Sequence, residues 1–341
     1  MNIIEFTKTL IEIPSESGNE RQIGEFLAAR LKNNFKITLQ QVGERFNILA
    51  TRGEPKLLLT THIDTVPGIL EIKEDFEWLY GRGACDAKGI IAAMIFAAEG
   101  AVKEGFTNFG LLFDVSEESD FSGIKEAVQL VNPDFVIVGE PTGLRIVIGQ
   151  KGLLGIKVKS FGKAAPGSLP EQGISAITKI MKALNRLNNL VLPANEPLGK
   201  TTLNIGQVQG GTAPNVVPDY AEAVVEIRTT ISNNFIVDLV KKELSDEEIE
   251  ILYNFESKQI RDPNLLKELN LERITVPYFT EMYFWASKSP TIVLGPGEYS
   301  VAHTKKERIN KKDLVKGKEI YFEIIKNYAQ KKRQRRNKKT N

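Results

Sequence analysis

The stretch Leu57-Leu58-Leu59-Thr60-Thr61-His62-Ile63-Asp64 decides how this chain is read. An apolar run of strand length ends in a histidine and, two residues on, an aspartate. Side chains two apart on a strand share a face, so His62 and Asp64 can act together. The 341 residues include only two histidines, His62 and His303. A site that needs two imidazoles must therefore bring both together.

Working outward, the same pattern recurs. The apolar run Gly110–Val115 leads into Ser116-Glu117-Glu118-Ser119, and Phe135–Val138 leads into Gly139-Glu140-Pro141-Thr142. Thr291–Leu294 leads through Gly295-Pro296-Gly297 to Ala302-His303-Thr304. Between these, Gly81-Arg82-Gly83-Ala84-Cys85-Asp86-Ala87-Lys88-Gly89 precedes a helix of small residues over about Ile90–Lys103. The spacing of Ile3, Phe6, Leu10 and Ile13 predicts a helix stopped by Pro14, and a second helix follows over about Glu20–Asn33. Strands are expected at Phe35–Leu39 and Asn47–Ala50, and a helical stretch at Glu126–Leu130. Strand alternating with helix predicts an α/β fold, a mainly parallel sheet with helices on both faces. Every polar motif follows the carboxyl end of a strand, the edge where open α/β sheets place ligands.

From Gly152 the pattern changes. Leu153–Ser160, Thr202–Val208 and Ala221–Arg228 read as strands, and Ser175–Leu190 and Phe235–Leu244 as helices. This order predicts an inserted α+β sandwich lid over residues 152–254. A discontinuous catalytic, metal-binding domain of residues 1–151 and 255–330 surrounds it, closed by a helix over about Lys312–Ala329. Residues 331–341 carry seven Lys or Arg, so a net charge of +2 becomes −5 for the rest of the chain. This stretch lacks aromatic residues and reads as a solvated, disordered tail rather than a folded nucleic-acid surface; no specific nucleic acid is expected as a partner.

The single cysteine, Cys85, excludes an internal disulfide and fits a reducing cytoplasm. No apolar run has the length of a membrane span, and the N-terminus lacks the basic and apolar regions of a signal peptide. A cytoplasmic protein is expected. Cys85 itself reads as a small buried residue under its loop, and Thr304 with Glu307 fits a capping box.

The residues that carry chemistry are His62, Asp86, Glu117, Glu118, Glu140 and His303. A hydrolytic two-metal site uses imidazole and carboxylate ligands around ions about 3.5–4 Å apart, with one carboxylate left free as base. Each motif alone has an ordinary reading, as a strand-end polar residue, a surface glutamate pair or a turn. Carboxylates at the ends of buried strands are costly unless a cation or a partner meets them, and several such ends in one sheet point to metal.

Together these motifs resemble the M20 family of co-catalytic zinc amidohydrolases, the group of acetylornithine deacetylase, succinyl-diaminopimelate desuccinylase, acetyl-lysine deacetylase and aminoacylase. The resemblance runs from the N-terminus to about Ala329 and implies a role for each residue. His62 and Glu140 would bind one Zn2+, Glu118 and His303 the other, and Asp86 would bridge both, with Co2+ or Mn2+ as substitutes. Asp64 would orient His62, Glu117 would be the general base, and the Asp86–Ala87 peptide would be cis. In the lid, Asn215 and Arg228 would contact substrate, the arginine holding the substrate's carboxylate, and the lid would join two chains as a homodimer. Read without the family, Asn215 is a turn residue and Arg228 a strand-end cation.

The implied reaction is hydrolysis of a small N-acyl amino acid; the rival readings are a dipeptidase or aminopeptidase, or a metal-binding protein without turnover. Two departures from the family pattern bear on this. Pro166 stands where the family lid carries a histidine, and Phe279-Thr280-Glu281-Met282 stands where relatives often have Thr-Ser-Asp-Met.

Overall fold

The computed structural model describes residues 1–260 and 266–337. The chain divides into two compact units: residues 1–148, 260–274 and 280–341 form the first, residues 149–259 and 275–279 the second. The second unit therefore takes a few more residues at each junction than the expected 152–254.

In the first unit, α1 (Ile3–Glu12) starts at a reciprocal cap, the Glu5 N–H donating to Asn2 Oδ1 and the Asn2 N–H to Glu5 Oε2. Its apolar face, Phe6 and Leu10 among it, joins the main core. Helix α2 (Arg21–Leu31) is followed by the hairpin β1 (Lys36–Val42) and β2 (Arg45–Arg52), then β3 (Leu57–His62), buried along its whole length. Short strands β4 (Lys73–Glu74) and β5 (Trp78–Tyr80) lead to α3 (Lys88–Lys103). The alanines of α3 bury almost completely, as a helix covered on most sides requires. β6 (Phe109–Asp114), α4 (Ser122–Ala127), β7 (Phe135–Val138) and β8 (Ile146–Gln150) complete this part. The helix expected at 126–130 thus lies earlier.

The second unit holds β9 (Gly152–Phe161), α5 (Ala176–Asn188), β10 (Thr202–Gly210), β11 (Tyr220–Thr229), α6 (Asn233–Glu243) and β12 (Glu248–Phe255). Its four strands form an antiparallel sheet in the order β10-β11-β9-β12. Leu154, Ile156, Val158, Val225 and Ile227 on one face pack with Ile180, Leu184, Ile236 and Val240 of the two helices. That is the expected α+β sandwich.

The first unit resumes with α7 (Met282–Trp285), β13 (Thr291–Val293), β14 (Arg308–Asn310) and α8 (Lys311–Asn337). Its sheet runs β1-β2-β6-β3-β7-β13-β8. The pairings β6-β3, β3-β7 and β7-β13 are parallel, whereas β1-β2, β2-β6 and β13-β8 are antiparallel. The sheet is therefore mixed, parallel only at its centre: the tight β1-β2 turn at Gly43-Glu44 permits no crossover helix. A separate three-stranded sheet, β14-β5-β4, pairs Arg308 with Tyr80 and Asn310 with Trp78.

The C-terminal helix corrects the expected tail. Residues 331–337 continue α8 instead of ending it near Ala329, since Lys, Arg and Gln propagate a helix readily; residues 338–341 lie outside the described residues. Among the described residues, no helix is long and apolar enough to cross a membrane.

Gly139 shows how tightly the central strands carry the site. A Cβ there would lie 2.5 Å from both Ile90 and Met94 of α3. Its N–H donates to Thr60 O and its carbonyl accepts from Thr61 Oγ1, which fixes the turn into Glu140. Gly139→Ala should cost about 1–3 kcal/mol by overpacking, seen as a lower denaturation midpoint. An unchanged midpoint would mean that α3 and β7 separate freely.

Candidate metal centre

Four chain segments that end at the carboxyl edge of the parallel strands bring their polar side chains together. β3 delivers His62 and the residue pair that follows it, and β6 runs into the Ser116–Ser119 turn. β7 runs through Gly139 into Glu140, and the loop after β13 carries His303 at a left-handed φ of 60°. The fifth contributor is the loop before α3, where the Asp86–Ala87 peptide is cis, as the resemblance implies.

Asp86 sits at the centre. Its Oδ1 lies 3.0 Å from His62 Nε2, and its Oδ2 lies 3.3 Å from His303 Nε2. The His303 ring also meets Glu118 Oε1 at 2.7 Å. Three sets of ligand atoms fall within 4.8 Å of one another: His62 with Asp86 and Glu140, Asp86 with Glu118 and His303, and His62 with Glu117 and Glu118. All six candidate residues therefore meet at one rim, with His303 on the solvent side and His62 and Asp86 buried.

Asp64 does more here than the sequence suggests. Its carboxylate is fully buried and accepts from the backbone N–H of Glu117 and of Glu118, each at 3.0 Å, and from Ser17 Oγ at 2.6 Å. His62 Nδ1 lies 3.0 Å from the Asp64 carbonyl and 3.4 Å from its Oδ1. One aspartate thus orients the imidazole and holds the glutamate pair. Glu20, also buried, ties the same turn: it accepts from the Ser116 N–H and pairs with Arg45, which also donates to Ser116 Oγ.

The electrostatics lack positive charge. Burial, and then the nearby Glu140, push Glu117 well above the usual carboxyl range; burial, and then Asp86, do the same to Glu140. Glu118 is raised by burial against the pull of His303. For Asp86, burial acts upward but is outweighed by the hydrogen bonds from His303 and His62, so its carboxyl is lowered. Those same contacts raise His303 to about 10, Asp86 contributing most. Two imidazoles among so many carboxylates form a donor set that divalent cations fit, since cations supply the charge that protons otherwise must.

Two carboxyls behind the centre were not singled out from sequence. Asp114 and Glu281 are both fully buried, and burial raises both, Asp114 to about 6. Glu281 is raised further by Asp114, so the pair is stable only when it holds a proton. The motif Thr280-Glu281-Met282 is thus an interior N-terminus of α7 rather than an open contact loop. No pattern in the sequence marks it, because a buried carboxyl pair leaves no periodicity.

Glu307 is a correction. The capping box expected with Thr304 is absent: Thr304 Oγ1 donates to the Val301 carbonyl and accepts from the Lys306 N–H. The Glu307 carboxylate instead turns inward to Arg82 and to the backbone of Cys85 and Asp86, because a buried guanidinium is a stronger partner than a turn amide. Cys85 is buried, as expected of a small residue beneath the loop.

In the second unit, Arg228 on β11 pairs with Glu226 through Nη2 at 2.7 Å and Nε at 2.9 Å. Asn215 is exposed in the loop before β11, and its carbonyl accepts from the Gly167 N–H at 2.7 Å. Pro166 forms a β-bridge with Val216 beside it.

The family model of peptidase family M20/M25/M40 matches residues 58–327. This chain belongs to that family. An M20 domain-containing protein of Schizosaccharomyces pombe is 33% identical over 95% of this chain and 84% of its own length. A probable carboxypeptidase of Aspergillus oryzae is also 33% identical, over 95% of this chain and 89% of its own. An M20 metallo-carboxypeptidase of Sulfolobus solfataricus shares the fold, with a TM-score of 0.78 at 18% identity over 96% of this chain and 99% of the other. The M20 protein described here is a metal-dependent hydrolase of linear amides.

In the metal-free protein, the proton that His303 holds up to about 10 gives stability that is complete below about pH 6.5 and lost as pH rises toward 10. The raised Glu117, Glu118 and Glu140 act in the same sense, losing their contribution as pH climbs above about 4.5. Asp86, lowered, opposes them only in acid, below about pH 4. The denaturation midpoint of chelator-treated protein should therefore fall between pH 6.5 and 9, and added Zn2+ should raise it more at pH 8 than at pH 6. A flat midpoint across that window contradicts this charge distribution.

Proposed function

We propose that the protein is a dinuclear metal hydrolase that cleaves the amide of a small N-acyl amino acid. The observation that carries this reading is Asp86 lying between the two imidazoles, one oxygen facing each. His62, Glu140 and Asp86 would hold one Zn2+, and Glu118, His303 and Asp86 the other, with Co2+ or Mn2+ able to substitute. Bound cations would supply the positive charge that acidifies a water and polarises the amide carbonyl.

Glu117 is the base. It stands in the same cluster, its backbone fixed by Asp64, and its carboxyl is left free when Glu118 and Glu140 are taken as ligands. Its raised pKa suits it to take the proton of the attacking water and deliver it to the departing nitrogen. Asp64 keeps His62 in the tautomer that leaves Nε2 free toward the centre.

Arg228 would bind the substrate carboxylate, sharing its guanidinium with Glu226, and Asn215 would contact the scissile amide. Pro166 offers no donor where the family histidine would stand, and losing one oxyanion donor costs about 100–1,000-fold in rate. Asn215, whose loop lies beside Pro166, is the neighbouring donor of the same unit. The inserted unit would also carry the contacts of a homodimer. A second substrate reading, removal of a residue from a dipeptide or a short peptide, is favoured by the carboxypeptidase names of its relatives.

Glu117→Gln should keep both metal equivalents and lose at least about 100-fold in turnover; near-parent hydrolysis by that variant removes Glu117 as base. The substrate class follows from a panel of acetyl- and succinyl-amino acids and dipeptides offered to Zn2+- or Co2+-loaded protein. Hydrolysis of the acyl-amino acids is the expected result. Cleavage of dipeptides alone would move the function to a peptidase, and no hydrolysis of either would leave a metal-binding protein without turnover.

A further inference from the structure

Glu307 lies outside every motif assigned to the chemistry, yet its carboxylate is 1% exposed and spends all its hydrogen bonding on the loop that carries Asp86. Oε1 accepts from the N–H of Cys85 and of Asp86, each at 3.3 Å, and Oε2 accepts from Arg82 Nη1 at 2.6 Å. Arg82 is held in turn, its Nε donating to the Gly68 carbonyl at 3.1 Å. The main chain of Glu307 makes the reciprocal contact, its carbonyl accepting from the Gly81 N–H at 3.3 Å. Gly81–Asp86 is therefore fastened to one residue at three backbone amides and one guanidinium.

The other end of the fastening is the His303 loop. The Glu307 N–H donates to the Thr304 carbonyl, next in sequence to His303. A short path of hydrogen bonds thus runs from the Asp86 amide through Glu307 to the histidine turn. Along the chain these two side chains are more than 200 residues apart, and among the described residues His303, on the rim, has no equivalent of the Asp64 contact that orients His62.

We propose that Glu307, acting with Arg82, is a positioning residue that sets the spacing of Asp86 and His303 and thereby controls uptake of the ion held by His303, Asp86 and Glu118. This rests on the two-ion reading above. The pocket of His62, Asp86 and Glu140 depends on it less, because Asp64 and the central strands fix His62 independently. Partners that orient metal ligands through hydrogen bonds are worth about 10–100-fold in affinity.

Glu307→Gln keeps the size of the side chain but turns an amide N–H2 toward Arg82 or toward the backbone donors, and so breaks one side of the fastening. Arg82→Met breaks the other, and it serves if Glu307→Gln does not fold. Both variants are titrated with Co2+ after chelator treatment, followed by calorimetry and by the visible absorption of the bound ion, alongside the denaturation midpoint of the metal-free proteins.

The expected result is a loss of about 10–100-fold in the affinity of the second Co2+ equivalent, with the first close to the parent value. The double variant should be no worse than either single one, since both remove the same link. Unchanged affinities for both equivalents overturn the proposal. So does a lowered metal-free midpoint with both affinities falling in parallel, which marks Glu307 as structural only. A parent protein that takes up fewer than two Co2+ overturns the two-ion reading itself, before any variant is compared.

Discussion

Everything at the rim of the central sheet answers to one constraint: a single buried carboxylate, Asp86, faces two imidazoles that come from opposite ends of the chain. Neither histidine can move far without losing it, and Asp86 is itself set in a loop whose backbone amides are occupied by Glu307. The strands supply direction, since β3, β6 and β7 are parallel and end at the same edge. The loops then supply the last few ångströms.

The second constraint is charge. Glu117, Glu118 and Glu140 crowd around two histidines, and the buried Asp114 and Glu281 carboxyls, both raised by burial, add to them. A protein interior tolerates such a group only where cations or protons neutralise it. The cluster reaches solvent at His303, whereas Asp114 and Glu281 are fully buried.

Much of this was legible in the residues themselves. An apolar run that stops at a polar motif, repeated at Leu57–Asp64, Gly110–Glu118 and Phe135–Glu140, marked the sheet edge and the turns that carry the polar cluster, because a buried strand must be apolar and its end need not be. The α+β character of the insertion followed from strict alternation in Leu153–Ser160 and Ala221–Arg228. What stayed hidden depends on contacts distant in sequence. The antiparallel flanks of the sheet, the inward turn of Glu307 and the burial of Glu281 are decided by partners that no local spacing reveals. The continuation of α8 past Ala329 was obscured for another reason: a run of cations reads as a tail, yet the same residues are good helix formers.

The contacts of Asp64 couple three groups that lie apart in the chain. One carboxylate serves the imidazole of His62 and the amides of both glutamates, so the three cannot be repositioned one at a time. A change at Asp64 is therefore felt at once by His62, Glu117 and Glu118, whereas Arg228 in the separately folded insertion pairs with Glu226 on its own strand.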